Sequence, residues 1–279
     1  MTPYLNAGFG EPLPAPDLML IERLGWEGIR QDVPDPDVAD LLVRNALGSG
    51  LSAIFVLPMA NPTLCQETAH AVARAAVELG LADHAVLEAG NEEDLRGKRW
   101  ANDPYGWSML VQDVSSIAWD HNNALRVVSG GVSSLSKDAM RWLERSKVRE
   151  VPAYIGYHQY RETGPREPLS GYRSREDEFN RLRDVAGGQG FWCTECGWHT
   201  SQRKKGWWIW SRTWSYTDEQ VADFLREEIE LNHNAGAHAF VTYQLNDGPD
   251  PNNDQDRFGI RRTDGSLKPS AFVLDEEVV

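Results

Sequence analysis

Ala85-Val86-Leu87-Glu88-Ala89-Gly90-Asn91-Glu92-Glu93 is a short apolar run that stops in acid. Its length and its Gly-Asn boundary suit a buried strand of a parallel sheet. Just upstream, Val72, Ala75, Ala76 and Leu79 recur at i, i+3, i+4 and i+7, the stripe of a helix packed on one face. Gly80 follows where a helix end turns left-handed. Strand then helix repeats outward in both directions. Strand candidates lie near Tyr4–Phe9, Gly28–Val33, Leu51–Leu57, Ala85–Ala89, Leu125–Ser129, Ala153–His158, Gly190–Glu195 and Ala239–Gln244. Helix signals stand between them. Asp17 is placed to cap a helix that stops at Gly25, Ser136 another carrying Met140 and Leu143, and Thr217 with Gln220 forms a capping box. Eight units of about 35 residues each predict an α/β chain folded as a single (β/α)8 TIM barrel over residues 1–279. A doubly wound sheet would need a Gly-rich turn opening a helix after its first strand. Gly8-Phe9-Gly10 runs into Glu11-Pro12 instead.

Composition narrows the function. The chain carries 28 Lys+Arg against 42 Asp+Glu, a formal charge of −14. Binding to nucleic acid would have to come from a local patch, and none is expected. No apolar stretch reaches the ~20 residues that span a bilayer, so no membrane partner is expected. The N-terminus has neither a basic nor an apolar leader region, so no signal peptide is expected there. Location stays open between the cytoplasm and a mature or phage-borne extracellular enzyme, and so does oligomeric state. Three cysteines argue against a disulfide scaffold.

In a barrel, chemistry sits at the C-terminal ends of the strands. Two of those ends carry glutamate. The fourth run ends in Asn91-Glu92, and the seventh, Phe191-Trp192-Cys193-Thr194, ends in Glu195-Cys196-Gly197-Trp198. Two carboxylates about 5–5.5 Å apart perform retaining glycoside hydrolysis, one as acid/base and one as nucleophile. Singly, each glutamate is more simply one of many loop acids.

These two ends, taken with others in order, resemble the clan A glycoside hydrolases, barrel enzymes that include cellulases and β-xylosidases. The resemblance implies Glu92 as acid/base after an Asn on strand four, and Glu195 as nucleophile on strand seven. Arg30, in Gly28-Ile29-Arg30, looks like the strand-two arginine beside the nucleophile. His158-Gln159-Tyr160 looks like the strand-six His-x-Tyr, whose Tyr160 would hydrogen-bond it. Asn91 would hold the sugar 2-hydroxyl, and His158 would orient Glu92 or bind a hydroxyl. The segment Phe258-Gly259-Ile260 with Asp264–Pro269 is similar to the one after strand eight. Three positions depart from the pattern. Tyr243 replaces a tryptophan, Glu93 replaces a proline after the acid/base, and Pro58-Met59-Ala60-Asn61 lacks a strand-three histidine. The implied activity is retaining hydrolysis of a β-linked oligo- or polysaccharide, with no cofactor and no metal. The alternatives are a non-catalytic carbohydrate-binding barrel, such as an adhesin or phage tail component, and a metal-dependent barrel hydrolase.

Tryptophan is clustered. Six of the 11 lie between Trp192 and Trp214. Indole faces stack on the C–H faces of pyranose rings, so Trp198, Trp207, Trp208 and Trp210 are candidates for a sugar-binding wall, against the plainer reading of loop packing. Segment 197–216 also holds Arg203, Lys204, Lys205 and Arg212 and no acid, which suits an anionic glycan. The loop Arg161–Tyr172 is expected to shape the cleft. Cys193 and Cys196 have zinc-like spacing, but strand alternation points them to opposite faces. Asp250–Asp256 has calcium-loop spacing, yet lacks the glycine and closing glutamate of an EF-hand, with Gln255 and Arg261 in their places.

Overall fold

A computed structural model describes residues 1–200, 203–205, 212–250 and 253–275, with the backbone alone at 203–205 and 212–214. Eight parallel strands form one sheet. They are β1 (Thr2–Phe9), β2 (Gly28–Asp32), β3 (Ser52–Val56), β4 (Ala85–Asn91), β5 (Arg126–Gly131), β6 (Ile155–Tyr160), β7 (Phe191–Gly197) and β10 (Ala239–Tyr243). Their order is β5-β4-β3-β2-β1-β10-β7-β6. Parallel bridges from Val128 to Tyr154 and from Val132 to Tyr157 join the two outer strands and close the barrel.

Helices α1 (Ala15–Arg23), α2 (Pro36–Leu47), α3 (Pro62–Glu78), α4 (Pro104–His121), α5 (Lys137–Ser146), α6 (Arg175–Ala186) and α7 (Asp218–Ala235) fill the crossovers. A 3-10 turn, Pro269–Phe272, follows the last barrel strand where an eighth helix would stand. Three helices open on the same device. Asp35-Pro36, Asn61-Pro62 and Asp103-Pro104 each set a capping side chain before a proline, whose fixed φ suits the first turn. Ser136 caps α5 as expected, and Thr217 and Gln220 make the reciprocal capping box of α7. Asp17 does not cap α1. The helix starts two residues earlier, at Ala15, and the Asp17 carboxylate instead accepts from Arg261 at 2.7 Å. The long segment after β7 is not wholly irregular, since β8 (Arg203–Lys205) and β9 (Arg212–Trp214) pair in antiparallel fashion. No described helix is long and apolar enough to cross a membrane.

The barrel interior is layered. Tyr4, Ile54, Val86, Val128, Trp192 and Val241 form an apolar floor. Gly28 makes room for it, because a Cβ there would come within 2.4 Å of the Tyr4 ring. Side chains on one face of a strand recur every second residue. The next inward positions above Tyr4, Gly28 and Val86 are therefore Asn6, Arg30 and Glu88, all buried. The barrel thus changes from apolar to charged within one layer.

Strand β7 breaks the alternation. Cys193 pairs with Phe240 and Cys196 with Thr242, so three residues of β7 match two of β10. The register against β6 shifts at the same place. This β-bulge carries Glu195, rather than Thr194, into the charged layer. It also overturns the expectation for the cysteines. Cys193 and Cys196 share the outward face, both as free thiols in the same apolar cluster.

Replacing Thr217 by Ala removes one half of the capping box. The unfolding free energy should fall by about 1 kcal/mol, read as a lower urea midpoint; an unchanged midpoint would show that the box does not stabilise α7.

Candidate active site

Arg30 rises from β2 into the centre of the barrel mouth. Its Nε donates to Glu88 at 2.5 Å, and its terminal nitrogens donate to Glu195 at 2.6 Å, Asn91 at 2.9 Å and Asn6 at 3.2 Å. Four strands meet at one side chain. Burial alone would lower the guanidinium pKa, but the Glu88 and Glu195 carboxylates outweigh it and push the pKa up.

Glu195 is 7 % exposed and bound from two sides, by Arg30 and by the Tyr160 hydroxyl at 2.6 Å. Burial favours its neutral form. His158, Arg30 and the Tyr160 hydrogen bond together outweigh burial and hold the carboxyl below its ordinary range. Tyr160 itself is pushed well above the usual phenol range by burial and by Glu195, so it remains a donor. Such a carboxylate is ionised and oriented, and it faces the cleft.

Glu92 stands opposite, at the end of β4. Its φ of +55° is in the left-handed region, which glutamate enters at a cost of about 1–3 kcal/mol. The turn is held because the Glu92 N–H donates to the Gly131 carbonyl at 2.8 Å. The side chain is thereby directed over the mouth to His158, whose Nδ1 lies 3.0 Å from Glu92 and 3.5 Å from Glu195. One carboxylate oxygen of each glutamate lies within 4.8 Å of the other. His158 is fully buried, so of its two expected roles the geometry favours orienting the carboxylates over touching a sugar. Burial lowers its pKa, but Glu195 and Glu92 raise it further, and the net shift is upward. Gly131 leaves it space, since a Cβ there would lie 2.3 Å from the imidazole Nε2.

Glu92, His158 and Glu195 are also the only group of three metal-capable side chains among the described residues. Arg30 and Tyr160 already take up one oxygen each of Glu195. A guanidinium 2.6 Å from the nearest ligand atom would repel a divalent cation.

The cleft above these groups has a volume of about 530 Å³, with Asp32, Leu95, Ser133, Tyr243 and Phe258 among its walls. Tyr243 takes the place expected of it, edge-on to Tyr160 and Phe258. Trp198 does not reach the cleft. It is 2 % exposed, donates from Nε1 to the Thr163 carbonyl at 2.9 Å and packs on Phe224, so it anchors the loop and cannot stack on a ligand. Trp207, Trp208 and Trp210 lie outside the described residues. The loop after β6 is tied to α6, where Glu178 binds Arg161 and the Leu169 N–H, and none of residues 161–172 lines the cleft. In the Asp250–Asp256 loop, Asp256 accepts from the Asp250 N–H and the Asn253 amide at 2.8 and 2.9 Å.

Reading the sequence missed Asn6 and Glu88. Their signal was present: Asn6 interrupts the stretch Tyr4–Phe9 and Glu88 the apolar stretch Ala85–Ala89, each at the inward position. A buried acid requires a buried cation, and Arg30 was available.

The barrel and its site can be set beside known proteins. No family model matches the chain, and no curated protein does. Solved structures do match. A family 39 glycoside hydrolase from Bacteroides cellulosilyticus WH2 superposes with TM-score 0.67 at 18% identity, over 95% of this chain and 61% of that one. A monomeric β-xylosidase from Caulobacter crescentus CB15 gives 0.69 at 15%, over 97% and 66%. A GH5-4 broad-specificity endoglucanase from Clostridium acetobutylicum gives 0.60 at 11%, over 95% and 89%. The chain shares the (β/α)8 barrel fold of these three proteins. The resemblance to clan A barrels holds at that level, and the chain spans about two thirds of the length of the family 39 and xylosidase structures.

Tyr160→Phe removes a hydrogen bond that favours ionised Glu195, so the Glu195 pKa rises. The acidic limb of the kcat/KM profile against an aryl glycoside should move to higher pH; an unmoved limb would separate Tyr160 from the ionisation of Glu195.

Proposed function

We propose that this protein is a retaining glycoside hydrolase acting on a β-linked glycan, with Glu195 as nucleophile and Glu92 as acid/base. The observation that carries this reading is the carboxylate pair. One oxygen of each lies within 4.8 Å of one of the other, close enough to suit the short carboxyl spacing, about 5–5.5 Å, of retaining enzymes. The barrel superpositions support the same reaction class.

The steps follow from the contacts. A Glu195 oxygen attacks the anomeric carbon while Glu92 gives its proton to the departing oxygen, and a glycosyl ester forms. Glu92, now ionised, takes a proton from water, which attacks the same carbon and releases Glu195. Arg30 and Tyr160 hold Glu195 so that little reorganisation is needed. Arg30 can only donate, so its bond to the Asn91 Oδ1 turns the Asn91 NH2 outward. That amide is suited to hold the sugar 2-hydroxyl, a contact that strengthens in the transition state.

A purely binding barrel would need a wall for the sugar. It would have no use for an ionised, doubly hydrogen-bonded carboxylate facing a second one on a strained turn.

Glu195→Gln should abolish turnover of both activated and natural substrates. Glu92→Gln should slow a substrate with a poor leaving group by ~10²–10⁴-fold and, with a dinitrophenyl glycoside, spare only the first step, so that the glycosyl ester accumulates. Proton NMR of the first product should show the β-anomer. Full activity of Glu195→Gln, full activity of Glu92→Gln on the substrate with a poor leaving group, or an α-anomer formed first would contradict the reading.

A further inference from the structure

The catalytic cleft does not end at the carboxylates. A second lobe of about 370 Å³ shares Asn6, Phe9, Tyr243 and Gln255 with it and continues over Asn246, Asp247 and Asp256. Neither Asn91 nor Glu92 lines this lobe. We infer that the second lobe is a binding site for an additional uncharged sugar on the non-reducing side of the cleaved bond, so that the enzyme removes a unit of at least two sugars. The inference rests on the glycosidase reading, because that reading fixes direction. Glu92 marks the leaving-group side, and a lobe reached past Asn6 and Tyr243 lies on the other.

Asn6 supplies the donor. It is 2 % exposed and its Oδ1 accepts from Arg30, which turns the Nδ2 away from the guanidinium. That Nδ2 is buried with no hydrogen-bond partner. A buried amide N–H left unpaired costs about 1–3 kcal/mol, and a sugar hydroxyl at the junction of the lobes would recover it. Phe9 supplies the apolar face. It is 63 % exposed at the wall common to both lobes, a geometry suited to the C–H face of a pyranose.

Charge selects the class of sugar. Asp247 and Asp256 line the second lobe, and among the described residues no cation does. Lys268 and Arg257 bind Asp247 at 2.7 and 3.3 Å. That pair neutralises the Asp247 carboxylate, whose side chain is fully buried, so a uronic acid placed here would meet the Asp256 carboxylate with no described cation lining the lobe beside it. Neutral hexoses or pentoses offer only hydroxyls, which the acidic and amide oxygens accept. The side chains of the basic stretch after β7, from which an anionic glycan was expected, lie outside the described residues.

The test uses 4-nitrophenyl β-glycosides of glucose, xylose, mannose and galactose beside the aryl glycosides of their β-linked disaccharides, with and without a terminal uronic acid. The aryl group fixes the added sugar on the non-reducing side. For the sugar that is hydrolysed, kcat/KM should be at least tenfold higher for the neutral disaccharide than for the monosaccharide. The uronic-acid-capped form should lose that gain, and Asn246→Trp, which fills the lobe, should bring the ratio near one. Equal rates on mono- and disaccharide, a preference for the acidic cap, or a gain that survives Asn246→Trp would overturn the inference. If no glycoside is turned over, the catalytic reading fails by itself. Calorimetric titration with the same compounds then reads the lobe separately, and disaccharides binding no tighter than monosaccharides would overturn it too.

Discussion

A guanidinium buried in the middle of a barrel is the constraint on which the rest of this site depends. Arg30 is 2 % exposed and binds side chains from β1, β4 and β7. Taking such a charge out of water is expensive, and removing one partner of a buried pair typically costs about 3–5 kcal/mol. A carboxylate is therefore required near it, and Arg30 has two. Glu88 satisfies that need from below and is fully buried, so it is closed to any ligand. Glu195 satisfies it from above and is open to the cleft. One arginine thus fixes both a closed anion and one that faces the cleft.

The layering below and beside Arg30 makes this placement specific. The apolar floor from Tyr4 to Val241 excludes water from beneath the charged layer, which strengthens each interaction above it. Two local irregularities then set the reacting groups. The bulge in β7 lifts Glu195 into register with Arg30, and the left-handed turn at Glu92 swings the second carboxylate across the mouth. His158 lies between the two and ties β6 to both. Regular strands would have placed neither glutamate where it is.

Much of this was legible in the residues. The eight strands are local, apolar and bounded by Gly, Pro or Asn, so their periodicity survives without knowledge of the fold. Glu92, Glu195, Arg30, His158, Tyr160, Asn91 and Tyr243 all sit at strand ends that the barrel brings together. What was not legible depends on contacts across the barrel or on broken periodicity. Trp198 has the composition of a sugar platform but is covered by α7, and sequence spacing carries no information about that cover. Cys193 and Cys196 were placed on opposite faces because alternation assumes an unbroken strand, and the bulge is a pairing property of β7 with β10. Glu88 was given no role because its partner, Arg30, is 58 residues away.

The central claim is that Arg30 holds Glu195 as a nucleophile that becomes covalently bonded to the sugar. The most direct measurement is trapping with a 2-deoxy-2-fluoro glycoside bearing an activated leaving group, followed by mass spectrometry of the proteolysed enzyme. The account predicts one fluoroglycosyl adduct, on the peptide containing Glu195 and at that residue. An adduct on Glu92 or another side chain, or steady turnover of the trapping reagent by direct attack of water with no adduct formed, would contradict it.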